Sequence, residues 1–132
     1  MDLKILEIAS NTENNRVIDN YTHKSKNKNP ICGDEMEISL VIKNNKIIDM
    51  GYQCKSCVYC QASVSLLSRK IKNKSINEVK AFIEDAEKTF IDVKSSLDQN
   101  WKDFLELFDK KNISRKECLL LPLGTVLKAL KI

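Results

Sequence analysis

The sequence lacks any hydrophobic run that approaches the ~20 residues a transmembrane helix needs. Its first residues, Met1-Asp2-Leu3-Lys4, also lack the apolar stretch of a secretory signal peptide. No internal repeat, low-complexity tract or domain boundary interrupts the 132 residues. These absences predict one cytoplasmic domain, residues 1–132, that has no membrane segment.

Arginine and histidine are scarce as well. The arginines are Arg16, Arg69 and Arg115, and the other basic residues are lysines scattered among asparagines. A net charge of +4 without arginine forks or interleaved aromatics is a weak nucleic-acid signal, so no nucleic-acid partner is expected. The lysine-rich run 24–28 is predicted to be a solvated loop. His23, the single histidine, is predicted to be a surface residue and not a metal ligand.

Cysteine is the unusual component. The five cysteines are an odd number, so a complete set of intramolecular disulfides is impossible. In a reducing compartment such a set favours metal binding or catalysis. Cys32-Gly33-Asp34, Cys57 and Cys118 place three thiols and one carboxylate far apart along the chain. They indicate a site that only the folded chain assembles.

A β-hairpin is predicted between the first two of these cysteines. Residues 35–43 and 46–52 alternate between apolar and polar, and Asn44-Asn45 tolerates the positive φ angles of a type I′ turn. Around that turn, paired residues have numbers that sum to 89, and the register extended outward places Cys32 across from Cys57. The expected apolar face carries Met36, Ile38, Leu40, Ile42, Ile48, Met50 and Tyr52.

Apolar periodicity predicts helices over residues 2–9, 57–71 and 97–109, and a helical turn at Val17-Ile18. The aromatic residues of 97–109 are at helical spacing, which favours core packing over a cofactor role.

Two capping boxes predict further helix starts. Ser75 and Glu78 form the first, and Ser114 and Glu117 form the second, which places Cys118 in the first turns of a C-terminal helix. Pro122 conflicts with an uninterrupted helix there, so that helix either begins nearer the proline or kinks.

The chemistry of the predicted site depends on thiolate, the form that attacks sulfur and binds metal. Cys57 and Cys118 are expected near helix starts, with Lys55 and Arg115 close by in sequence, and these features favour the thiolate. Three thiolates and a carboxylate could form a tetrahedral zinc site, and thiolates are also the ligands of iron–sulfur clusters. The alternative is that these cysteines are small buried hydrophobic residues.

Cys54, Cys57 and Cys60 form a C-x2-C-x2-C run. It hints at a ferredoxin-type cluster, but no fourth cysteine or proline follows. Cys54 and Cys60 are either accessory ligands or relay thiols, or incidental buried cysteines, and the second interpretation is slightly favoured. A thioredoxin-like redox couple is a further option, although its βαβ context is missing.

Three blocks resemble the U-type iron–sulfur assembly proteins: IscU, SufU and the N-terminal domain of NifU. The segment from Asn29 to Asp34 resembles their N-P-x-C-G-D signature. Cys57, followed by Ala62-Ser63-Val64-Ser65, resembles the segment G-C-x-x-x-x-A-S-x-S. Arg115-Lys-Glu-Cys118 resembles the R-x-x-C block of SufU. The blocks span residues 29–131 in the family's order.

This resemblance implies that Cys32, Asp34, Cys57 and Cys118 hold zinc or a nascent [2Fe–2S] cluster. It implies an α+β fold in which a small antiparallel sheet, three strands in our prediction, packs against four to five helices. It also implies a pyridoxal-phosphate cysteine desulfurase as partner, and downstream cluster acceptors. Because Glu117 stands where IscU has a histidine, a SufU-like member with a SufS-like desulfurase is favoured.

Three functional hypotheses remain open from the sequence. The favoured one is a cluster scaffold that accepts sulfur on Cys32, or alternatively on Cys118. The second is a zinc-dependent sulfurtransferase that activates the desulfurase and never carries a cluster. The third is a zinc-stabilised interaction module without chemistry. Cys54, Cys60 and Arg115 are candidate accessory residues, and whether the protein is an enzyme is left open.

Overall fold

The computed structural model describes residues 3–30, 33–89 and 99–131, so the predictions for Cys32 fall outside the described residues. Within them the fold is α+β, as predicted. The elements in chain order are α1 Leu3–Ala9, β1 His23–Lys28, β2 Glu35–Lys43, β3 Lys46–Lys55, α2 Val58–Lys70, β4 Lys74–Ser75, α3 Ile76–Thr89, two 3₁₀ segments (Gln99–Leu105 and Lys110–Arg115) and α4 Lys116–Leu130. No helix in the described part of the chain is long and apolar enough to cross a membrane.

The sheet is antiparallel with strand order β1-β2-β3-β4. The predicted β2–β3 hairpin is confirmed, and its turn residues Asn44 and Asn45 have φ angles of 53° and 62°. Asparagine tolerates this left-handed region better than most residues, which explains the turn's position.

The predicted register is wrong beyond Val41 because a β-bulge interrupts the hairpin. Lys43 pairs with Lys46 and Ile42 with Ile47, but Val41 pairs with Asp49, so the sum changes from 89 to 90 and Ile48 is the extra residue. The bulge changes one position of the predicted apolar face: Ile47 is fully buried and Ile48 is 38% exposed, whereas Met50 and Tyr52 are buried as predicted.

The prediction of a loop at residues 24–28 is wrong, because these residues form most of strand β1. β1 and β4 join the predicted hairpin in a sheet of four described strands, one more than the three that we expected. Lys24 and Lys26 extend from β1 to Glu37 on β2, with N–O distances of 3.0 and 3.3 Å. Lysines on an edge strand are typical because they discourage pairing with another sheet.

Val17-Ile18 does not form the predicted helical turn. This segment runs along the sheet, where the carbonyl of Asn14 accepts a hydrogen bond from the backbone N–H of Tyr52 at 3.1 Å. Ile18 is buried above Gly51, where an added Cβ would lie 2.6 Å from the carbonyl oxygen of Arg16. The segment therefore packs there because residue 51 has no side chain.

Helices α2 and α4 pack on each other and on the sheet, and α1 packs on α2. The core between them includes the β2 side chains Met36, Ile38 and Leu40, which are at most 2% exposed. The predicted helix at 57–71 is confirmed as α2, for which Cys57 is the N-cap. Its first backbone bond joins the N–H of Gln61 to the carbonyl of Cys57 at 3.0 Å.

The helix predicted at 97–109 is instead a 3₁₀ segment over Gln99–Leu105, followed by turns, and residues 97 and 98 lie outside the described residues. Trp101, Phe104 and Leu107 recur every three residues, which matches the 3₁₀ repeat. All three are buried, and Trp101 stacks on Phe82 with ring centroids 4.1 Å apart. The core-packing interpretation of these aromatics is confirmed.

The first capping box is confirmed and the second is wrong. The hydroxyl of Ser75 accepts from the N–H of Glu78 at 3.1 Å, and the Glu78 carboxylate accepts from the N–H of Ser75 at 3.3 Å. Ser114 lies inside a 3₁₀ segment that continues to Arg115, the N-cap of α4, so it cannot start that helix. Pro122 is inside α4, which begins before it.

Candidate metal centre

Three of the predicted ligands meet in the structure. One ligand atom each from Asp34, Cys57 and Cys118 lies within 4.8 Å of the other two. Asp34 precedes β2, Cys57 caps α2, and Cys118 is in the first turn of α4. The fourth predicted ligand, Cys32, is outside the described residues, so its place at this centre stays a prediction.

The loop that carries Asp34 is closed by backbone hydrogen bonds. The N–H of Gly33 donates to the carbonyl of Asn29, and the N–H of Asn29 donates to the carbonyl of Asp34, both at 2.8 Å. Gly33 has φ +78°, a left-handed conformation that glycine adopts without strain. The glycine of this motif therefore sets the direction in which the chain presents Asp34.

The two carboxylate oxygens of Asp34 have different surroundings. Oδ1 accepts a hydrogen bond from the backbone N–H of Cys57 at 3.2 Å. Oδ2 is buried and has no hydrogen-bond partner among the described residues. A buried oxygen without a partner is costly, and a cation beside it would remove that cost. The set of two sulfurs and one oxygen fits zinc or iron, and so the residues present fit a metal.

Helix α4 holds Cys118 against the start of α2. Cys118 is only 4% exposed. The hydroxyl of Ser63, on α2, donates to the carbonyl of Leu119 at 2.6 Å, and the hydroxyl of Ser25, on β1, donates to the carbonyl of Thr125 at 2.6 Å. These two bonds fix α4 relative to the two elements beside it, and so they fix Cys118 relative to Cys57.

Pro122 affects the same part of α4. A proline has no N–H, so residue 122 cannot donate to the carbonyl of Cys118 four positions earlier. One residue further along, the Leu119 carbonyl accepts from Ser63. The proline thus lies one turn after the cysteine without ending the helix.

Cys54 and Cys60 are not members of the three-residue group. Cys54 is half-buried at the end of β3, and Cys60 is completely buried in α2. Burial is the main cause that raises the pKa of both thiols, and the Asp34 carboxylate raises it further. Both residues therefore favour the protonated thiol in the folded protein.

Two basic residues were predicted to be close to the thiols. The guanidinium of Arg115 lies over the ring of Tyr59, 5.4 Å from its centroid, and Tyr59 is two residues after Cys57. Arg115 is thus near the centre but bound to an aromatic ring. Lys55 is exposed at the end of β3.

The sequence interpretation missed the positioning role of Ser63. The residue was noted only as part of the A-S-x-S segment. The signal for this role is a small polar residue on the face of α2 that also carries Cys60 and Val64. Both of these neighbours are buried. Ser65, in the same segment, donates to the carbonyl of Asn11 at 2.6 Å and fixes the other side of α2.

Comparison with known proteins gives consistent matches. The family model described as the NifU-like N terminal domain matches residues 2–100. The chain is 30% identical to the iron-sulfur cluster assembly scaffold protein IscU of Thermotoga maritima, over 96% of this chain and 89% of that protein. Cys118 lies beyond the residues that the family model matches but within the part of the chain that aligns with the Thermotoga maritima protein.

Two solved structures have the same fold. One is described as a putative iron-sulfur cluster assembly scaffold protein for the SUF system, from Fervidobacterium islandicum, with a TM-score of 0.89, 25% identity and coverage of 98% of this chain and 96% of that one. The other is a nitrogen-fixing NifU-like protein, N-terminal, from Brucella abortus, with a TM-score of 0.84, 20% identity and coverage of 98% and 91%. The second likeness concerns the fold alone.

Proposed function

This chain belongs to the NifU-like N-terminal domain family, of the U-type scaffold proteins, and on that premise we propose that it is a scaffold for the assembly of iron–sulfur clusters. The observation that carries the proposal is the convergence of Asp34, Cys57 and Cys118, whose ligand atoms lie within 4.8 Å of one another. Iron and sulfide are then the substrates that this group holds, with Cys32 as the fourth ligand.

The sulfur enters as the terminal atom of a persulfide on a cysteine desulfurase. A thiolate of the scaffold attacks that terminal sulfur, the S–S bond breaks, and the desulfurase cysteine leaves as a thiolate. Cys32 is the proposed acceptor. The alternative acceptor, Cys118, is 4% exposed, and a partner's persulfide has little access to it.

The Asp34 carboxylate is suited to a cluster that must leave. Oxygen is a harder donor than thiolate, and clusters are held chiefly by thiolate ligands. One oxygen ligand among sulfurs weakens the attachment, which a donor protein requires. The unpaired Oδ2 is the atom available for this contact.

A second function uses the same residues as a zinc-dependent sulfurtransferase. Two sulfurs and one oxygen within 4.8 Å, with Cys32 as the fourth donor, also match a tetrahedral zinc site. Bound zinc would keep the thiols deprotonated and suppress their oxidation.

Anaerobic reconstitution with iron and sulfide distinguishes the two functions. A scaffold becomes coloured, with the visible absorption of a [2Fe–2S] cluster and matching iron and sulfide content. A sulfurtransferase keeps its zinc and stays colourless.

Variants show whether the colour comes from this centre. Cys57→Ser and Cys118→Ser should each abolish the absorption, whereas the matched control Cys54→Ser should keep it, since Cys54 is outside the group. Full cluster formation in both ligand variants would refute the proposed site.

A further inference from the structure

The C-x2-C-x2-C run contains two overlapping C-x2-C pairs, and the structure separates them. Cys57 is the N-cap of α2 and Cys60 is the third residue of that helix. Cys54 instead belongs to strand β3. Only the second pair, Cys57 with Cys60, therefore spans the first turn of a helix.

The backbone geometry of the two pairs has opposite consequences for a disulfide. Three residues along an α-helix separate Cα atoms by about 5 Å, inside the range of roughly 4.4–6.8 Å that a disulfide accepts. Three residues of extended chain cover about 10 Å, beyond the limit of about 7 Å. Cys54 and Lys55 are the last two residues of strand β3, so the chain leaves Cys54 in the extended conformation.

The side chain of an N-cap residue does reach the backbone of the residue three positions later in this protein, and the reverse also holds. Ser75 and Glu78 occupy the same two positions at the start of α3 and exchange hydrogen bonds of 3.1 and 3.3 Å. The backbone of the helix start at Cys57 is as well defined, since the Cys57 carbonyl accepts from Gln61 at 3.0 Å, but the Cys57 side chain makes no capping hydrogen bond and has to rotate to face Cys60. No movement between elements is needed to bring the two thiols together.

The different exposure of the two thiols sets the order in which they react. Cys57 is half-exposed, and Cys60 is 0% exposed. Of these two thiols, an external disulfide can therefore reach Cys57 and not Cys60, so the Cys57 sulfur reacts first and Cys60 attacks it afterwards.

We propose that Cys57 and Cys60 are a dithiol that undergoes exchange with oxidised low-molecular-weight thiols and closes to an intrahelical disulfide. The Cys57 thiolate attacks one sulfur of the small disulfide RSSR, forming a mixed disulfide and releasing one RSH. Cys60 then attacks the Cys57 sulfur, and the second RSH leaves. The protein dithiol loses two electrons and two protons, and RSSR takes up both.

The consequence for the metal centre rests on the proposed function. Cys57 cannot bind a metal as a thiolate while its sulfur is bonded to Cys60, so the oxidised form has an incomplete centre. The disulfide itself does not depend on any metal. The dithiol proposal and the proposed function can therefore fail separately.

Peptide mapping tests the proposal directly. Trypsin cleaves after Lys55 and Arg69, so Cys57 and Cys60 share the peptide 56–69, and Cys32, Cys54 and Cys118 are each in another peptide. Metal-free protein is incubated with oxidised glutathione, alkylated and digested without reduction. The expected product is peptide 56–69 lighter by two hydrogen atoms and unalkylated. A link from Cys57 to any other peptide would overturn the proposal.

Two variants complete the test. Cys60→Ala should stop at the glutathione adduct on Cys57, and at least tenfold more oxidised glutathione should be needed for the same loss of free thiol, since the intramolecular step is lost. The matched control Cys54→Ser should behave as wild type. Equal oxidation of Cys60→Ala and wild type would contradict the role of Cys60, and thermal unfolding of each variant verifies its fold.

Zinc separates this inference from the proposed function. Zinc added before glutathione should slow closure of the disulfide at least tenfold if Cys57 is its ligand. Closure unaffected by zinc would count against the metal centre and leave the dithiol in place. Absence of the intrapeptide disulfide from metal-free protein would remove the dithiol and leave the metal centre in place.

Discussion

The carboxylate of Asp34 accepts a hydrogen bond from the backbone N–H of Cys57 through one oxygen, at 3.2 Å, and buries the other oxygen without a partner among the described residues. One side chain thus fixes the start of α2 and offers a donor atom beside two thiols. The structural role and the metal-binding role of Asp34 can be tested separately because each uses a different oxygen.

Replacing Asp34 by asparagine and by alanine should separate the two roles. Asparagine keeps an acceptor for the Cys57 N–H but has an amide nitrogen in place of the second oxygen. We expect Asp34→Asn to lose zinc affinity with little loss of stability. Asp34→Ala should lose zinc affinity and also about 1–3 kcal/mol of unfolding free energy, for the lost bond to a charged acceptor. Urea unfolding and zinc competition with a chromophoric chelator measure the two effects. Equal stability of the two variants would contradict the structural role.

Asp34→Ala has a second expected consequence once a cluster is bound. Without the hard oxygen ligand, a reconstituted cluster should persist longer and pass more slowly to an acceptor protein. The decay of visible absorption, with and without an acceptor, measures both rates. Unchanged transfer kinetics would refute the labilising role.

Ser63→Ala should weaken metal binding, although Ser63 is not one of the proposed ligands. The substitution removes the 2.6 Å bond from α2 to the Leu119 carbonyl and leaves a buried acceptor, at a cost of about 1–3 kcal/mol. Because Leu119 adjoins Cys118, we also expect lower zinc affinity. The matched control is Ser68→Ala, which removes a buried hydroxyl from the same helix; that hydroxyl donates to the Ser65 carbonyl and accepts from the Asn14 side chain, and neither partner belongs to α4. A loss of affinity that is the same in both variants would indicate general destabilisation instead.

Burial of Cys60 should make stability fall in alkali. Burial raises the pKa of this thiol above its unfolded value, so the unfolded chain releases the proton first. The contribution is fully present below the unfolded pKa of about 8.5 and decreases as the pH rises above it, by up to about 1.4 kcal/mol per pH unit.

The comparison with Cys60→Ala isolates this contribution, because the pKa of Cys54 is also raised and remains in both proteins. Urea unfolding of metal-free, reduced protein between pH 8 and 10.5 should show a shallower decline in the variant. Parallel declines would show that the Cys60 thiol is not the cause.

Gly33→Ala and Gly124→Ala should act in opposite directions. At φ +78°, alanine at position 33 is strained by about 1 kcal/mol or more, although no atom lies within 4 Å of its Cβ position. Gly124 is inside α4, and the nearest atom to an added Cβ is 3.9 Å away, so alanine there should stabilise by about 0.5–1 kcal/mol. Thermal unfolding decides both, and a neutral Gly33→Ala would contradict a strained loop.

Local chemistry explains which parts of the fold could be predicted. The Asn44-Asn45 turn and the Ser75–Glu78 capping box depend on neighbours in sequence, and both are confirmed. The bulge at Ile48 was missed because Ile47 and Ile48 are equally apolar, so alternation cannot choose which one faces the core. That choice is made by tertiary packing.

At the metal centre, too, some features follow from the sequence and others depend on tertiary packing. The spacing of the cysteines predicted that distant groups converge, and Asp34, Cys57 and Cys118 do so. The bond from Ser63 to Leu119 could not be predicted, because it joins two helices whose relative position only the folded core determines. The second capping box failed for a related reason: 3₁₀ turns precede α4 and include Ser114.

Mapping the persulfide decides which thiol accepts sulfur. If the buried Cys118 is a ligand and not the acceptor, Cys118→Ser should still acquire a persulfide from a SufS-like desulfurase but form no cluster. Cys32→Ser should acquire none and should no longer stimulate the desulfurase. Mass spectrometry of peptides 29–43 and 117–128, after one turnover, assigns the extra sulfur. A persulfide on Cys118 of the wild type would make Cys118 the acceptor, and full stimulation by Cys32→Ser would favour an interaction module, because a protein that only contacts the desulfurase needs no acceptor thiol.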